Sequence, residues 1–222
     1  MLRKPRPLTR DVQDYRDDRL FIVACDDTYA PLQYFGFFEL NRVKIFVVPT
    51  VDGTSHANAV LDRLMSYDCK DYDERWILLD TDHCIRGAHV ASYIQALKDA
   101  ENKGVNIAIS RTCFELWLLL HHVPIQDVIS LSNAAETEVA LRKALGSYDK
   151  KLLKSENFTL ASVAAACEKA KLLDDCGDGG LIPDKVATRV YKLWQSIIDG
   201  ASPLQLPEEL LRLRSKSNMN EL

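Results

Sequence analysis

Residues 75–82 read Arg-Trp-Ile-Leu-Leu-Asp-Thr-Asp, RWILLDTD, and the fold reading turns on them. An apolar run bounded by polar residues predicts a buried strand, of the kind found in parallel sheets covered on both faces. Burying a carboxylate is costly unless it is paired or holds a cation. At the carboxyl end of such a strand the cost is avoided, because open α/β sheets form their ligand crevice there. Residues i and i+2 of an extended chain point to the same face, so Asp80 and Asp82 aim at one point. Mg²⁺ typically takes one or two carboxylates and keeps several waters. The plainer alternative is that Asp82 caps the following loop or helix.

Outward from this strand, the pattern alternates. Leu20–Ala24 (LFIVA) predicts a first strand, ending at Cys25-Asp26-Asp27, and Val43–Val48 a second. Arg75–Asp80 is the third and Val105–Ile109 the fourth. Helical segments are expected around Pro31–Leu40, Ala57–Met65, Gly87–Asn102 and Cys113–His122. The alternation implies parallel βαβ units with right-handed crossovers. After Pro124 the pattern changes to helices alone, at Thr137–Leu145, Leu160–Leu173, Lys185–Asp199 and Pro207–Leu213. The expected organisation is a flexible N-terminal arm at 1–19, holding Pro5 and Pro7, an α/β core at 20–123 and a helical extension at 124–222. The last residues, Ser215–Leu222, are expected to fray.

Composition narrows the class. The 222 residues are 47% hydrophobic and 27% charged, ordinary for a soluble globular chain. The net charge of −4 gives no global case for nucleic-acid binding, so any such surface must be a local patch. No apolar run approaches the ~18 residues of a membrane span. The basic start, MLRKPRPLTR, lacks the apolar centre of a signal peptide, and a cytoplasmic location is expected. The six cysteines form no Cys-x-x-Cys pair, which favours free thiols over disulfides or a zinc site.

Candidate chemistry gathers at strand ends. In a doubly wound sheet the first and third strands can be neighbours, which would bring Asp26, Asp80 and Asp82 into one acidic patch. Three carboxylates without a fixed positive partner repel one another, and a divalent cation relieves that repulsion. Phosphoryl transfer or phosphodiester cleavage is the usual chemistry of such a site. Asp26 and Asp27 also suit the commoner task of capping the next helix. Glu115 stands out inside CFELWLLLHH, where nearly every neighbour is apolar. It either faces solvent in the first turn, points at the crevice, or pairs with an arginine such as Arg111. His121 and His122 suit a helix C-terminus; His83, directly after Asp82, is the better catalytic candidate. Lys150, Lys151, Arg189 and Lys192 are candidate phosphate contacts, although charge runs are more often solvated surface. No Gly-x-Gly-x-x-Gly, P-loop or Gly-x-Ser-x-Gly motif is present, so any ATP use falls to a partner.

The segment SRTCFELWLLLHH at 110–122 resembles the signature of the RloB-like family, which reads close to Ser-Asn-Pro-Cys-Phe-Glu-Leu-Trp-Leu-Leu-Leu-His. Three further blocks follow the family's order: FIVACDDTYAPLQYF at 21–35, the Asp-x-Asp strand, and the segments Tyr148–Lys151 and ATRVYKL at 187–193. The resemblance covers about residues 16–200. It implies a Toprim-like fold, a small parallel sheet with helices on both faces, with an all-helical extension following here. It also implies Mg²⁺- or Mn²⁺-dependent nuclease chemistry on DNA or RNA. The family setting is bacterial and archaeal defence loci, beside an ABC-type ATPase of the RloA or overcoming-lysogenization-defect kind.

Carried over residue by residue, the Toprim glutamate falls on Asp26, the Asp-x-Asp pair on Asp80 and Asp82, and the family's Cys-Phe-Glu on Cys113, Phe114 and Glu115. Asp26, Asp80 and Asp82 are then the metal ligands, and Glu115 joins them as a catalytic residue. The sequence departs from the pattern in the first block. Asp26 is one methylene shorter than the family's Glu, Asp27 replaces Gly, and Thr28 and Pro31 replace two further glutamates. Arg111-Thr112 stands where Asn-Pro precedes Cys-Phe-Glu. Three functions therefore compete: an active nuclease, a catalytically degenerate module that binds a protein partner or nucleic acid, and a domain that binds a small phosphate signal. The missing glycine loop disfavours the last. Homo-oligomerisation is left open.

Overall fold

The computed structural model describes residues 19–50, 53–82 and 89–214. The expected arm before residue 19, His83 and the end beyond residue 214 lie outside the described residues. Five strands form one sheet in the order β2-β1-β3-β4-β5. β1 (Arg19–Cys25), β2 (Val43–Val47), β3 (Glu74–Asp80) and β4 (Asn106–Arg111) are parallel. β5 (Ala187–Thr188) is antiparallel to β4. Helices α1 (Ala30–Gly36), α2 (Ala57–Met65), α3 (His89–Asn102) and α4 (Phe114–Leu120) alternate with the parallel strands. The α/β class expected from RWILLDTD is the one observed.

The central strands β1 and β3 are buried on both faces, as continuous apolar runs require. Phe21, Val23 and Cys25 of β1 join Trp76 and Leu78 of β3 in one core, with α1 and α4. The alternate residues Ile22, Ala24, Ile77 and Leu79 join α2 and α3 in a second core on the opposite face. Period-two alternation thus feeds two layers at once. α1 covers one face and α2 and α3 the other because the connections run in opposite directions. β1 connects outward to β2, whereas β2 connects back past β1 to β3 and on to β4. Right-handed crossovers reverse face when they reverse direction. The reversal falls between adjacent strands β1 and β3.

The remaining helices are α5 (Ala134–Leu145), α6 (Leu160–Asp175), α7 (Val190–Gly200) and α8 (Glu208–Leu211). α6 starts with a reciprocal capping box between Thr159 and Ser162. Val163, Ala164 and Cys167 of α6 and Trp194 and Ile197 of α7 extend the core that holds α4. α4 is therefore buried on every side, which accounts for its apolar sequence around Glu115.

Two expectations need correction. The stretch after Pro124 is not helical throughout, because Ala187–Thr188 pairs with Ser110–Arg111 and covers what would be the open edge of β4. The Thr188 and Ser110 hydroxyls bond at 2.9 Å across that pairing. The helix expected from Lys185 accordingly begins at Val190. The helix expected to reach Leu40 stops at Gly36, and Leu40 instead forms a bridge to Val43 at the entry to β2. Among the described residues no helix is long and apolar enough to cross a membrane.

Candidate active site

The reversal point between β1 and β3 is where an open α/β sheet places its ligand crevice. A cavity of about 520 Å³ opens there, lined by Asp26, Asp27, Asp80, Asp82, Glu115 and Glu138, together with Ser55, Cys113 and Lys150. Asp26 follows β1, Asp80 ends β3, and Glu115 lies in the first turn of α4. Parallel pairing of Cys25 with Leu78 brings the first two together. The sequence-predicted carboxylates Asp26, Asp80, Asp82 and Glu115 thus share one cavity.

Asp26 is held on both sides. Its Oδ2 accepts from the Asp80 backbone N–H at 2.7 Å and its Oδ1 from the Asp27 N–H at 2.9 Å. Protein atoms crowd the carboxylate, and burial pushes its pKa up to about 7 against the pull of the Asp80 amide, with repulsion from Asp27 adding to the rise. Burial also raises the Asp80 pKa well above the usual carboxylate range, followed by repulsion from Asp26, Glu115 and Asp82. Among the described residues that line the cavity, six carboxylates face one lysine.

Asp27 has a different task. Its Oδ1 accepts from the N–H groups of Tyr29 and Ala30, at 2.6 and 3.1 Å, and so caps the entry to α1. Its Oδ2 lies 3.6 Å from Lys150 Nζ. Burial works against the Lys150 charge, but Asp27 and Glu115 outweigh it and raise its pKa. Lys150 is the one cation among the described residues that line the cavity.

Glu115 is 8% exposed, and its Oε1 accepts from the Tyr148 hydroxyl at 2.8 Å. Pairing with Arg111 does not occur; Arg111 donates instead to the Pro183 carbonyl at 2.9 Å. Burial, then Glu115, raises the Tyr148 pKa, so the phenol keeps its proton and stays a donor. Burial, then Glu115 and Asp80, likewise keeps the Cys113 thiol protonated.

Other candidates lie elsewhere. Arg189 is buried away from the cavity, bonded to Asp174 at 2.8 Å and to the carbonyls of Gly180 and Leu181. Lys192 also faces Asp174, at 3.3 Å. Both brace the turn between α6 and β5. His121 sits between the Tyr34 hydroxyl and the Ser162 hydroxyl, at 3.1 and 2.8 Å, and burial lowers its pKa. It is a neutral core histidine rather than the cation that a helix C-terminus would favour. Lys151 does not line the cavity but stands beside it, its Nζ 5.1 Å from the centre of the Tyr29 ring.

A family model described as RloB-like protein matches residues 21–197. The chain belongs to the RloB-like family. Comparison with curated proteins and with solved structures gives no match. The RloB-like match spans every strand but the first residues of β1, and it includes all the cavity carboxylates. Sequence reading missed Gln33 of this RloB-like chain. Its Nε2 donates to the carbonyls of Lys150 and Tyr29, at 2.7 and 3.0 Å, while its Oε1 accepts from the Leu153 N–H at 2.9 Å. Gln33 thereby fixes the Lys150 segment against α1. No local pattern marks a contact between residues 117 positions apart.

Among the described residues, no three His, Cys, Asp or Glu side chains gather into a ready-made metal shell. The carboxylate donors are nonetheless all hard oxygen, and they repel one another around Asp80. Both suit Mg²⁺ or Mn²⁺, and Mg²⁺ needs only one or two carboxylates beside its waters. Asp80 and Asp82 fit that requirement.

Proposed function

We propose that this RloB-like chain is the nuclease subunit of a bacterial or archaeal anti-phage defence system, with a Toprim-like site that uses Mg²⁺ or Mn²⁺. The observation that carries this reading is the convergence of Asp26, Asp80, Asp82 and Glu115 on one cavity at the reversal point of the sheet. Asp80 and Asp82 would hold the ion, and the ion would supply charge stabilisation at a phosphodiester. Lys150 offers the cavity's positive contact for a phosphate oxygen. Tyr148 holds Glu115 in place by its hydroxyl. Asp26, bonded to the Asp80 N–H, would stand beside the ion. An ABC-type ATPase partner, DNA or RNA as substrate and a cytoplasmic setting follow from the family resemblance. The free thiols among the described residues fit a reducing compartment.

One observation favours a second reading. Both Asp26 oxygens are engaged by backbone amides, as in a structural strut, which fits a degenerate site that binds a partner or nucleic acid without cutting. The test is cleavage of plasmid and tRNA by the full chain, with and without the ATPase, in Mg²⁺, Mn²⁺ or EDTA. The nuclease reading expects divalent-dependent cleavage that Asp80→Asn reduces at least a hundredfold. Equal cleavage by Asp80→Asn removes this site from the chemistry. Absence of cleavage in every condition supports the second reading.

A further inference from the structure

The acidic cavity repels phosphate on most of its rim, so a polyanion must approach where cations stand. That place is the edge formed by residues 148–151 and the start of α1. Lys150 lies within the cavity lining, 3.6 Å from Asp27. Lys151, next in sequence, is exposed and faces the Tyr29 ring. Tyr29 stands two residues beyond Asp27 and leaves 41% of its surface exposed. Leu32, three residues along α1 and so on the same side of the helix, is 45% exposed.

Exposed aromatics are common singly, but the backbone that carries this one is held on both sides. The Tyr29 N–H donates to Asp27 and its carbonyl accepts from Gln33. The same Gln33 side chain holds the Lys150 carbonyl and the Leu153 N–H. One glutamine therefore ties the backbone of the Tyr29 turn to that of the Lys150 segment, placing the aromatic and both lysines on one edge.

An exposed aromatic ring with lysines beside it is the recognition chemistry of unpaired nucleobases: as Lys151 Nζ moves from over the ring to a phosphate, the ring stacks on the base. A base inside a duplex has both faces covered by its neighbours and cannot use such a platform. We infer that Tyr29, with Lys151 beside it, is a stacking platform that selects single-stranded nucleic acid, DNA or RNA, for the acidic cavity. The inference rests on the proposed nucleic-acid substrate and narrows it to unpaired strands.

The test is fluorescence anisotropy on the full chain in Ca²⁺ buffer. The probes are a single-stranded DNA, a single-stranded RNA, a duplex of the same sequence and an abasic strand of equal length. The wild type binds at least one base-bearing single strand more tightly than the duplex. Tyr29→Ala weakens that binding about tenfold and leaves the abasic strand unchanged. Tyr29→Phe, which keeps the ring, retains the single-strand preference and shows that the loss is not a folding defect. Lys151→Ala weakens every strand, the abasic one included. Equal binding of base-bearing strands by wild type and Tyr29→Ala overturns the inference, as does a wild-type preference for duplex. Tyr29-dependent binding without any cleavage leaves the platform standing and removes the nuclease. Cleavage that needs Asp80 but ignores Tyr29→Ala does the reverse, and absence of binding to all four probes removes both.

Discussion

The Asp26 carboxylate accepts a hydrogen bond from the Asp80 backbone N–H at 2.7 Å, tying the end of β3 to the residue that follows β1. Asp26 thus holds together the two strand ends that line the cavity. The short aspartate reaches its neighbour's amide directly. A longer glutamate at this position would carry its carboxylate one methylene further.

The charge balance of this pair sets a pH dependence. Asp26 has a folded pKa near 7, against about 3.9 in an unfolded chain. Between these values the folded state binds more protons than the unfolded state, so stability falls as pH rises. His121 and His122, whose pKa values burial lowers, gain stability as pH rises through the unfolded histidine range and so work in the opposite sense. The Asp26 share is therefore read as the difference between wild type and Asp26→Asn from pH 6.5 to 8. Asp26 alone gives a loss of about 1 kcal/mol over that range, or roughly 2–4 °C in melting temperature for a chain of this size. The raised Asp80 adds to it. Melting curves in EDTA should show the decline, and millimolar Mg²⁺ should flatten it. A difference between wild type and Asp26→Asn that stays level from pH 6.5 to 8 in EDTA would contradict the crowding of Asp26.

Much of this site was legible because strands announce themselves by apolar runs and their carboxyl ends by the first polar residues. RWILLDTD gave both the strand and Asp80, and the apolar frame of α4 exposed Glu115 as an anomaly. What stayed hidden was long-range. The partner of Glu115 is Tyr148, 33 residues away, and not the nearby Arg111 that sequence proximity suggested. Arg189 looked like a free cation, yet Asp174 and two carbonyls consume it. The two-residue β5 is too short for any period to reveal. Such features depend on tertiary packing, which local patterns do not encode.

Tyr148→Phe should destabilise the protein by about 1–3 kcal/mol, because it removes a donor from a buried carboxylate. The measurement is the urea midpoint at pH 7, with an unchanged slope. If the nuclease reading holds, divalent-dependent cleavage should fall about tenfold as well, since Glu115 loses the contact that orients it. An unchanged midpoint would mean that the Tyr148–Glu115 bond contributes nothing in solution.

Gln33→Ala should loosen the 150–153 segment while leaving the sheet intact. The side chain is partly exposed and its bonds are neutral, so the global stability loss should stay within about 1.5 kcal/mol. Hydrogen exchange gives the sharper readout. The Leu153 amide, now bonded to Gln33 Oε1 at 2.9 Å, should exchange about tenfold faster, whereas amides of β1 and β3 should not change. Gln33→Glu should loosen the segment too, because a carboxylate cannot donate to the Lys150 and Tyr29 carbonyls. Exchange at Leu153 equal to wild type in both variants would show that the clasp does not hold this edge.

Asp26 separates the two functional readings, through a comparison of Asp26→Ala and Asp26→Glu in both stability and cleavage. As a strut, Asp26 satisfies the amides of Asp27 and Asp80. Alanine leaves both without that acceptor, and each orphaned amide costs about 1–3 kcal/mol. Part of that loss is offset at pH 8, where the crowded carboxylate is charged and its removal relieves repulsion. The destabilisation by Asp26→Ala should therefore be larger at pH 6 than at pH 8, a sign that a purely packing role would not produce. Glutamate keeps the charge but moves it by about one bond length, and a shift on the order of 1 Å in a reacting group can cost about 10²-fold in rate. In an active enzyme adapted to aspartate, Asp26→Glu lowers cleavage and Asp26→Ala abolishes it. In an enzyme impaired by the shorter side chain, Asp26→Glu raises cleavage. In a binding module neither variant cleaves, and only the pH-dependent stability change remains. A robust wild-type cleavage that survives Asp26→Ala would confine Asp26 to the strut and leave the chemistry to Asp80, Asp82 and Glu115.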